Sequence, residues 1–194
     1  MALRIQITGK GVERMRELSR LLSSPTRVGR AYVRALTHTG RIAQTRVGRA
    51  LARQTGLKVK TTRNALSRPI MPTISRLDYI LRIRGGEISL KHFGARETRR
   101  GVSAKPFGRR RVFPGSFMKG GLFPARRMLN FGGHVFEPTS GKRWGRPFRK
   151  VSSGVVLPTE AVTGASAAAF RDASGRLGPR VQHELRRISK GALT

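Results

Sequence analysis

The sequence predicts an α+β fold with an N-terminal strand, a long basic helix, a central and mostly antiparallel sheet with long basic loops, and a C-terminal helix. Apolar residues recur at helical spacing near both ends of the chain, and alternating, strand-like runs lie mostly between them. The regular strand–helix alternation of a doubly wound parallel fold is missing. The chain has 194 residues, a length typical of one domain, so we expect a single domain over residues 1–194.

The first elements are a short strand and a helix. Apolar and polar residues alternate over residues 3–7, which is typical of a half-buried strand. Residues 8–11 contain two glycines and predict a turn. Apolar residues at helical spacing then predict a helix over residues 12–22, and Pro25 is suited to the first turn of the next helix.

Residues 26–55 give the strongest helical pattern. A continuous apolar stripe predicts a helix of about 45 Å, at about 1.5 Å per residue. Gly40 and Gly48 weaken this helix, and Gly56 is a natural C-terminal stop. Four arginines fall within about 60° of one another on the side opposite the stripe. We therefore expect a basic helix face formed by Arg27, Arg30, Arg34 and Arg41.

Strand-like runs begin after a second short helix, which we expect at residues 58–67. The runs at 79–84 and 88–93 flank a Gly-rich turn and predict a β-hairpin. Residues 94–130 are rich in Gly, Pro and Arg, so a flexible basic loop with strand-like fragments is expected there.

The last part of the chain predicts two strands and a helix. The strands are expected at 133–136 and 148–151, with a turn-rich connection between them. Apolar residues at helical spacing predict a final helix from about Val162 to Leu177, which Gly178 and Pro179 interrupt.

Positive charge is the most informative property of the composition. The chain has 41 Lys and Arg against nine Asp and Glu, a formal charge of +32, and no acid lies between Leu18 and Leu77. A protein surface normally mixes both signs, because a single sign repels itself. Charge alone therefore allows three kinds of partner: nucleic acid, an anionic membrane, or the acidic surfaces of other proteins.

The sequence lacks the residues that several classes of function require. The chain has no cysteine, which excludes disulfides, thiolate zinc sites and a thiol nucleophile, and which fits a reducing cytoplasm. No signal peptide and no apolar run of about 18 residues is visible. Among the acids only Glu13 and Glu17 share a helical face, and surface pairing explains them. The four histidines show no ligand spacing. We expect a protein that is not an enzyme, uses no metal or cofactor, and binds no membrane.

The candidate contact residues are basic. Phosphate backbones bind such clusters without sequence preference, and an acidic protein neighbour would serve equally well. Few aromatic residues alternate with these charges, so backbone contact is expected and base stacking is poorly supported. A helix-turn-helix resemblance over residues 47–68 is better explained by a long core helix with a Gly cap. The candidates are Arg99, Arg100, Lys105, Arg109, Arg110, Arg111, Arg126, Arg127, Lys142 and Arg143.

Three local patterns carry a family resemblance. The first is the Ala-rich helix at 31–55 followed by a basic helix at 58–68. The second is the Arg run at 109–111 leading to Pro114-Gly115-Ser116-Phe117. The third is His134-Val135-Phe136, then Gly141-Lys142-Arg143 and Pro147, closing in residues 155–159. Over most of its length the chain resembles the minor tail protein Z family of lambda-like long-tailed phages, in the tail-completion superfamily.

The resemblance implies a structural virion protein without catalytic residues. Members of this family complete the head-proximal end of the tail and serve head–tail joining and DNA positioning. The implied partners are the tail terminator, tail tube, connector and tape-measure proteins. The implied state is a closed homo-oligomeric ring, a hexamer if it follows the tail tube. The implied location is the tail or neck of the virion, after assembly in the bacterial cytoplasm. The alternative is a stand-alone, sequence-nonspecific nucleic-acid-binding protein, associated with the ribosome or the nucleoid.

Overall fold

A computed structural model describes residues 1–21, 25–139 and 147–189, and the predicted α+β class is confirmed in it. A strand opens the chain, a long helix follows, and three helices close the described part. Among the candidate residues, Lys142 and Arg143 lie outside the described residues, as does part of the turn-rich connection expected before Phe148.

The helices form a layer around one central member. They are α1 (Lys10–Leu21), α2 (Pro25–Thr55), α3 (Val59–Ala65), α4 (Leu157–Ala161), α5 (Gly164–Gly175) and α6 (Leu177–Ile188). Helix α2 carries a fully buried apolar stripe and packs against α1, α3, α5 and α6. The first three helices lie where the sequence predicts them.

The single final helix predicted over 162–177 is instead part of a three-helix segment. Helix α4 ends at Ala161, and extended Thr163 precedes α5. Pro179 lies in the first turn of α6, where a missing N–H leaves no helical hydrogen bond unmade. The interruption predicted from Gly178 and Pro179 is therefore a helix start.

The predicted hairpin of residues 79–84 and 88–93 is wrong. Strand β2 (Asp78–Arg82) pairs antiparallel with the N-terminal strand β1 (Ala2–Gln6), with Leu3 opposite Leu81. On its other edge, Ile80 exchanges backbone hydrogen bonds with Ile70. Because both edges of β2 are occupied, residues 88–93 find no partner there, and Leu90–Phe93 forms a 3-10 helix.

The predicted loop over 94–130 contains a three-stranded sheet. The loop expectation is wrong for its first two strands, whereas the third covers a strand-like fragment expected near Val112 and Phe113. They are β3 (Arg96–Thr98), β4 (Gly101–Ala104) and β5 (Arg111–Pro114), paired antiparallel with β4 in the middle. All four residues of β4 are buried, and Val102 and Ala104 join the cluster of Val47 and Leu51 from α2. This contact fixes the sheet beside the C-terminal half of α2.

The remaining strands form two short ladders. Strand β6 (Lys119–Gly120) pairs with β7 (Arg127–Met128), and β8 (Phe136–Pro138) pairs with β9 (Phe148–Lys150). The last two lie within three residues of the predicted strands. The described strand pairs are all antiparallel, but they form four small sheets instead of one central sheet.

Candidate functional site

Most acids of the described chain are paired with arginines, some inside the fold and some on its surface. Five of them form ion pairs with arginines: Asp78 with Arg4 and Arg76, Glu97 with Arg126, Glu137 with Arg149, Asp172 with Arg46, and Glu184 with Arg34 and Arg180. Each pair satisfies a carboxylate that would otherwise be available to a neighbouring cation. The surface that remains is strongly positive.

The basic helix face of α2 is split between surface and interior roles. Arg27, Arg30 and Arg41 are exposed. Arg34 instead donates a hydrogen bond of 2.9 Å to Glu184, whose side chain is 1% exposed. Burial alone would raise the pKa of Glu184, but the hydrogen bond from Arg34 and the charge of Arg180 outweigh it and lower that pKa. Arg34 therefore joins α2 to α6 and is not a free surface cation.

The connection between β4 and β5, together with the first residue of β5, is named the basic turn (residues 105–111). Its backbone is held on both sides, since the N–H of Lys105 donates to the carbonyl of Phe93 at 3.0 Å and that of Arg109 to Pro106 at 3.2 Å. It also packs directly on the end of α2. A Cβ added to Gly56 would lie 2.6 Å from the backbone nitrogen of Gly108. The basic turn is thus seated on the helix terminus.

Phe107 is the unusual residue of the basic turn. It has φ 54°, the only positive φ of a non-glycine residue in the described chain, and its side chain is 41% exposed. A bulky residue in this region costs about 1–3 kcal/mol and persists only where the surroundings enforce it. Phe107 was not among the site residues predicted from the sequence. The signal was an aromatic residue between Pro106 and Gly108 with cations on both sides.

The cations predicted as one cluster lie at two ends of one sheet. Arg99 and Arg100 form the β3–β4 turn, and the basic turn is at the other end of β4. At about 3.3 Å per residue, Arg100 and Lys105 are about 16 Å apart. Lys105, Arg109, Arg110 and Arg111 are exposed.

Two of the cations of the basic turn have partners within the sheet. Arg110 donates to the hydroxyl of Ser103 at 3.2 Å, and the Arg111 guanidinium lies 4.7 Å from the centre of the Phe113 ring. Lys105 and Arg109 have no such side-chain contact in the described part of the chain, and helix C-termini favour cations beside them.

The segment Lys119 to Met128, named the apolar hairpin, has a fixed base and an apolar surface. Glu97 pairs with Arg126, their side chains being 8% and 10% exposed, and the second carboxylate oxygen of Glu97 accepts the N–H groups of Met118 and Lys119, each at 3.1 Å. Arg126 is therefore structural and not available for a partner, unlike exposed Arg127. The hairpin exposes three large apolar side chains: Leu122 (69%), Phe123 (45%) and Met128 (70%).

His134 and Glu87 are two further groups whose pKa shifts. Burial lowers the pKa of His134, and nearby Lys150 and Lys91 lower it further. Its Nδ1 lies 2.8 Å from the Ser89 hydroxyl, which fixes the ring between loops. Hydrogen bonds from the Ser152 hydroxyl and the Gly154 N–H lower the pKa of Glu87. Both groups hold connections together.

Within residues 1–21, 25–139 and 147–189, no three His, Asp or Glu side chains lie close enough to hold a metal ion. Of the helices described there, none is both long and apolar enough to cross a membrane. A comparison with protein-family models, with curated proteins and with solved structures finds no match to this chain.

Proposed function

We propose that this chain is a structural protein of a long-tailed phage particle, a minor tail or tail-completion protein at the head-proximal end of the tail. Its role there is head–tail joining and the positioning of DNA. The proposal rests on the resemblance of its local patterns to the minor tail protein Z family. The structural observation that supports an assembly role is the apolar hairpin.

The apolar hairpin supports docking on another protein. Leu122, Phe123 and Met128 expose large apolar surfaces, which soluble proteins usually reserve for partners. The ion pair of Glu97 and Arg126, which is largely shielded from solvent, fixes the base, so little order has to be gained on binding. Exposed Arg127 adds positive charge beside the apolar side chains, which favours an acidic neighbour. Neighbouring tail and neck proteins, in a closed ring, are the proposed partners.

Incorporation into particles tests the proposal. Leu122→Ser combined with Phe123→Ser should leave the Tm of the purified protein unchanged, because substitutions of exposed side chains rarely exceed about 0.5 kcal/mol. The same variant should fail to co-sediment with tails and should leave heads and tails unjoined. The matched control is Val59→Ser, which removes an apolar side chain with 44% exposure at the start of α3. Joined, infectious particles after deletion of the whole chain would contradict the proposal.

The basic turn favours a second candidate, a stand-alone nucleic-acid-binding protein. Its exposed cations would neutralise phosphates, and log Kd would then change linearly with log salt concentration. Replacing Arg109, Arg110 and Arg111 with Gln should reduce that slope in a filter assay on duplex DNA. A protein that binds duplex with a steep slope but never enters particles would support this candidate over the first.

A further inference from the structure

We infer that Phe107 is a base-stacking residue and that the basic turn binds an unpaired base of a nucleic-acid strand, with Lys105 and Arg109 contacting the adjoining phosphates. The inference rests on the nucleic-acid contact included in the proposed function. It differs from backbone contact alone, because it assigns part of the affinity to an aromatic face.

The backbone at Phe107 is the first observation. A left-handed φ of 54° is uncommon for an aromatic residue, yet the turn holds it through the hydrogen bond from Arg109 to Pro106 and through the packing of Gly108 on Gly56. Such enforced conformations concentrate at binding and catalytic sites. The turn therefore holds the Phe107 ring in a defined position.

The free ring is the second observation. In the described part of the chain, no aromatic ring or guanidinium lies over Phe107, and Phe107 belongs to none of the apolar clusters of the core. Phe113, by contrast, is already covered by Arg111. An open aromatic face with 41% exposure is what an unstacked base requires.

The flanking charges give the ligand class. Lys105 and Arg109 lie two residues to either side of Phe107 and are both exposed. Aromatic residues that alternate with cations in this way bind single strands, where the base stacks and the cations neutralise phosphates. Bases in intact duplex are already stacked on one another, so single-stranded nucleic acid is the preferred ligand.

Binding of fluorescent oligothymidylate across a salt series tests the inference. Phe107→Asn removes the ring and keeps a residue that tolerates positive φ, so the fold should be preserved, which a thermal melt checks. We expect an affinity loss of about 5- to 100-fold with an unchanged salt slope, because stacking is independent of counterion release. Phe107→Tyr should bind like wild type. Arg109→Ala should instead reduce the slope by about 0.7.

Phe123→Asn is the matched control, since Phe123 has similar exposure but lies on the apolar hairpin. It should not alter oligothymidylate binding, and Phe107→Asn should change blunt-duplex affinity much less than single-strand affinity. Wild-type affinity and slope in Phe107→Asn would overturn the stacking role while leaving the proposed function intact. An equal loss on a polyglutamate peptide would also overturn it and assign Phe107 to a protein partner. Absence of wild-type binding to either nucleic acid would remove the DNA contact from the proposed function as well.

Discussion

At the scale of single residues, individual arginines pair with the few acids of this chain, and the pairing of Glu184 is the clearest example. Its buried carboxylate accepts hydrogen bonds from Arg34 of α2 and Arg180 of α6. Two cations thus converge on one acid between the central helix and the last one. A buried carboxylate of this kind requires its partners, because an unpaired buried charge is costly.

Glu184→Gln should reduce the free energy of unfolding by about 2 kcal/mol, since it removes charge-assisted hydrogen bonds from a buried position. Urea unfolding at neutral pH measures this loss. The matched control is Glu137→Gln, which removes an ion pair between neighbouring strands where the Arg149 side chain is 71% exposed. That substitution should cost at most about 1 kcal/mol. Equal losses in the two variants would contradict the role given to Glu184.

The pH dependence of stability should also contain a contribution from Glu184. Its pKa in the folded state is lowered, so its contribution is complete above the unfolded pKa of about 4.3 and is lost as pH falls through the folded pKa. The groups that face it are Arg34, Arg180, Arg187 and His183. The Tm of wild type should therefore fall faster than that of Glu184→Gln below about pH 4. The same decrease of Tm with falling pH in wild type and in Glu184→Gln would contradict this.

Residue-level roles were the least predictable from sequence. Arg34 and Arg126 belong to basic patterns like their neighbours, yet each pairs with an acid that is distant along the chain. Only folding brings those acids close. Phe107 was hidden for a different reason, because its importance depends on a backbone angle that composition does not reveal.

At the scale of elements, the packing of α2 against β2 explains why a glycine lies in the middle of the long helix. Gly40 was expected to weaken or kink the helix, but α2 runs unbroken from Pro25 to Thr55. A Cβ at Gly40 would lie 2.4 Å from the ring of Tyr79, which is fully buried. The glycine allows the strand to approach the helix closely.

Gly40→Ala should therefore destabilise the fold even though alanine is the better helix former. The gain in helix propensity is about 1 kcal/mol, whereas overpacking a close contact costs about 1–3 kcal/mol. We expect a net loss of up to about 2 kcal/mol in urea unfolding, as the difference between those terms. The control is Gly175→Ala in α5, where an added Cβ would meet nothing within 4 Å. A more stable Gly40→Ala protein would show that Tyr79 can move.

Elements with a local cause were predictable, and those with a distant partner were not. The stripe of α2 and the Gly56 stop are local patterns, and both are confirmed. Strand β2 was also found, but its partner β1 lies more than 70 residues earlier in the chain. The sheet of β3 to β5 was predicted as a loop because glycine, proline and arginine dominate the segment, while only the four residues of β4 are buried.

At the scale of the whole molecule, the main electrostatic effect is repulsion among the excess cations. Ion pairs within the chain neutralise five acids, so the remaining cations of the described surface repel one another across the molecule. A formal charge of +32 on 194 residues makes this repulsion a property of the isolated protein. Binding of a polyanion or an acidic neighbour would relieve it.

Stability of the isolated protein should therefore rise with ionic strength. The Debye length falls from about 30 Å at 0.01 M salt to about 8 Å at 0.15 M, which screens cations on opposite sides of the domain. We expect a higher Tm at 0.15 M than at 0.01 M sodium chloride, by about 2–4 °C for each kcal/mol of repulsion relieved. Uncharged osmolyte at matched osmolality is the control. A Tm that falls over this range would mean that the internal ion pairs outweigh the repulsion.

The pairing of β1 with β2 has a consequence for biosynthesis. The first strand leaves the ribosome about 70 residues before its partner, and the apolar stripe of α2 leaves more than 100 residues before α5 and α6, which cover it. The nascent chain thus exposes apolar and cationic surface next to ribosomal RNA before it can fold. Truncated chains that end before Asp78 should therefore stay bound to translating ribosomes until salt is added, whereas longer chains that include β2 should be retained less.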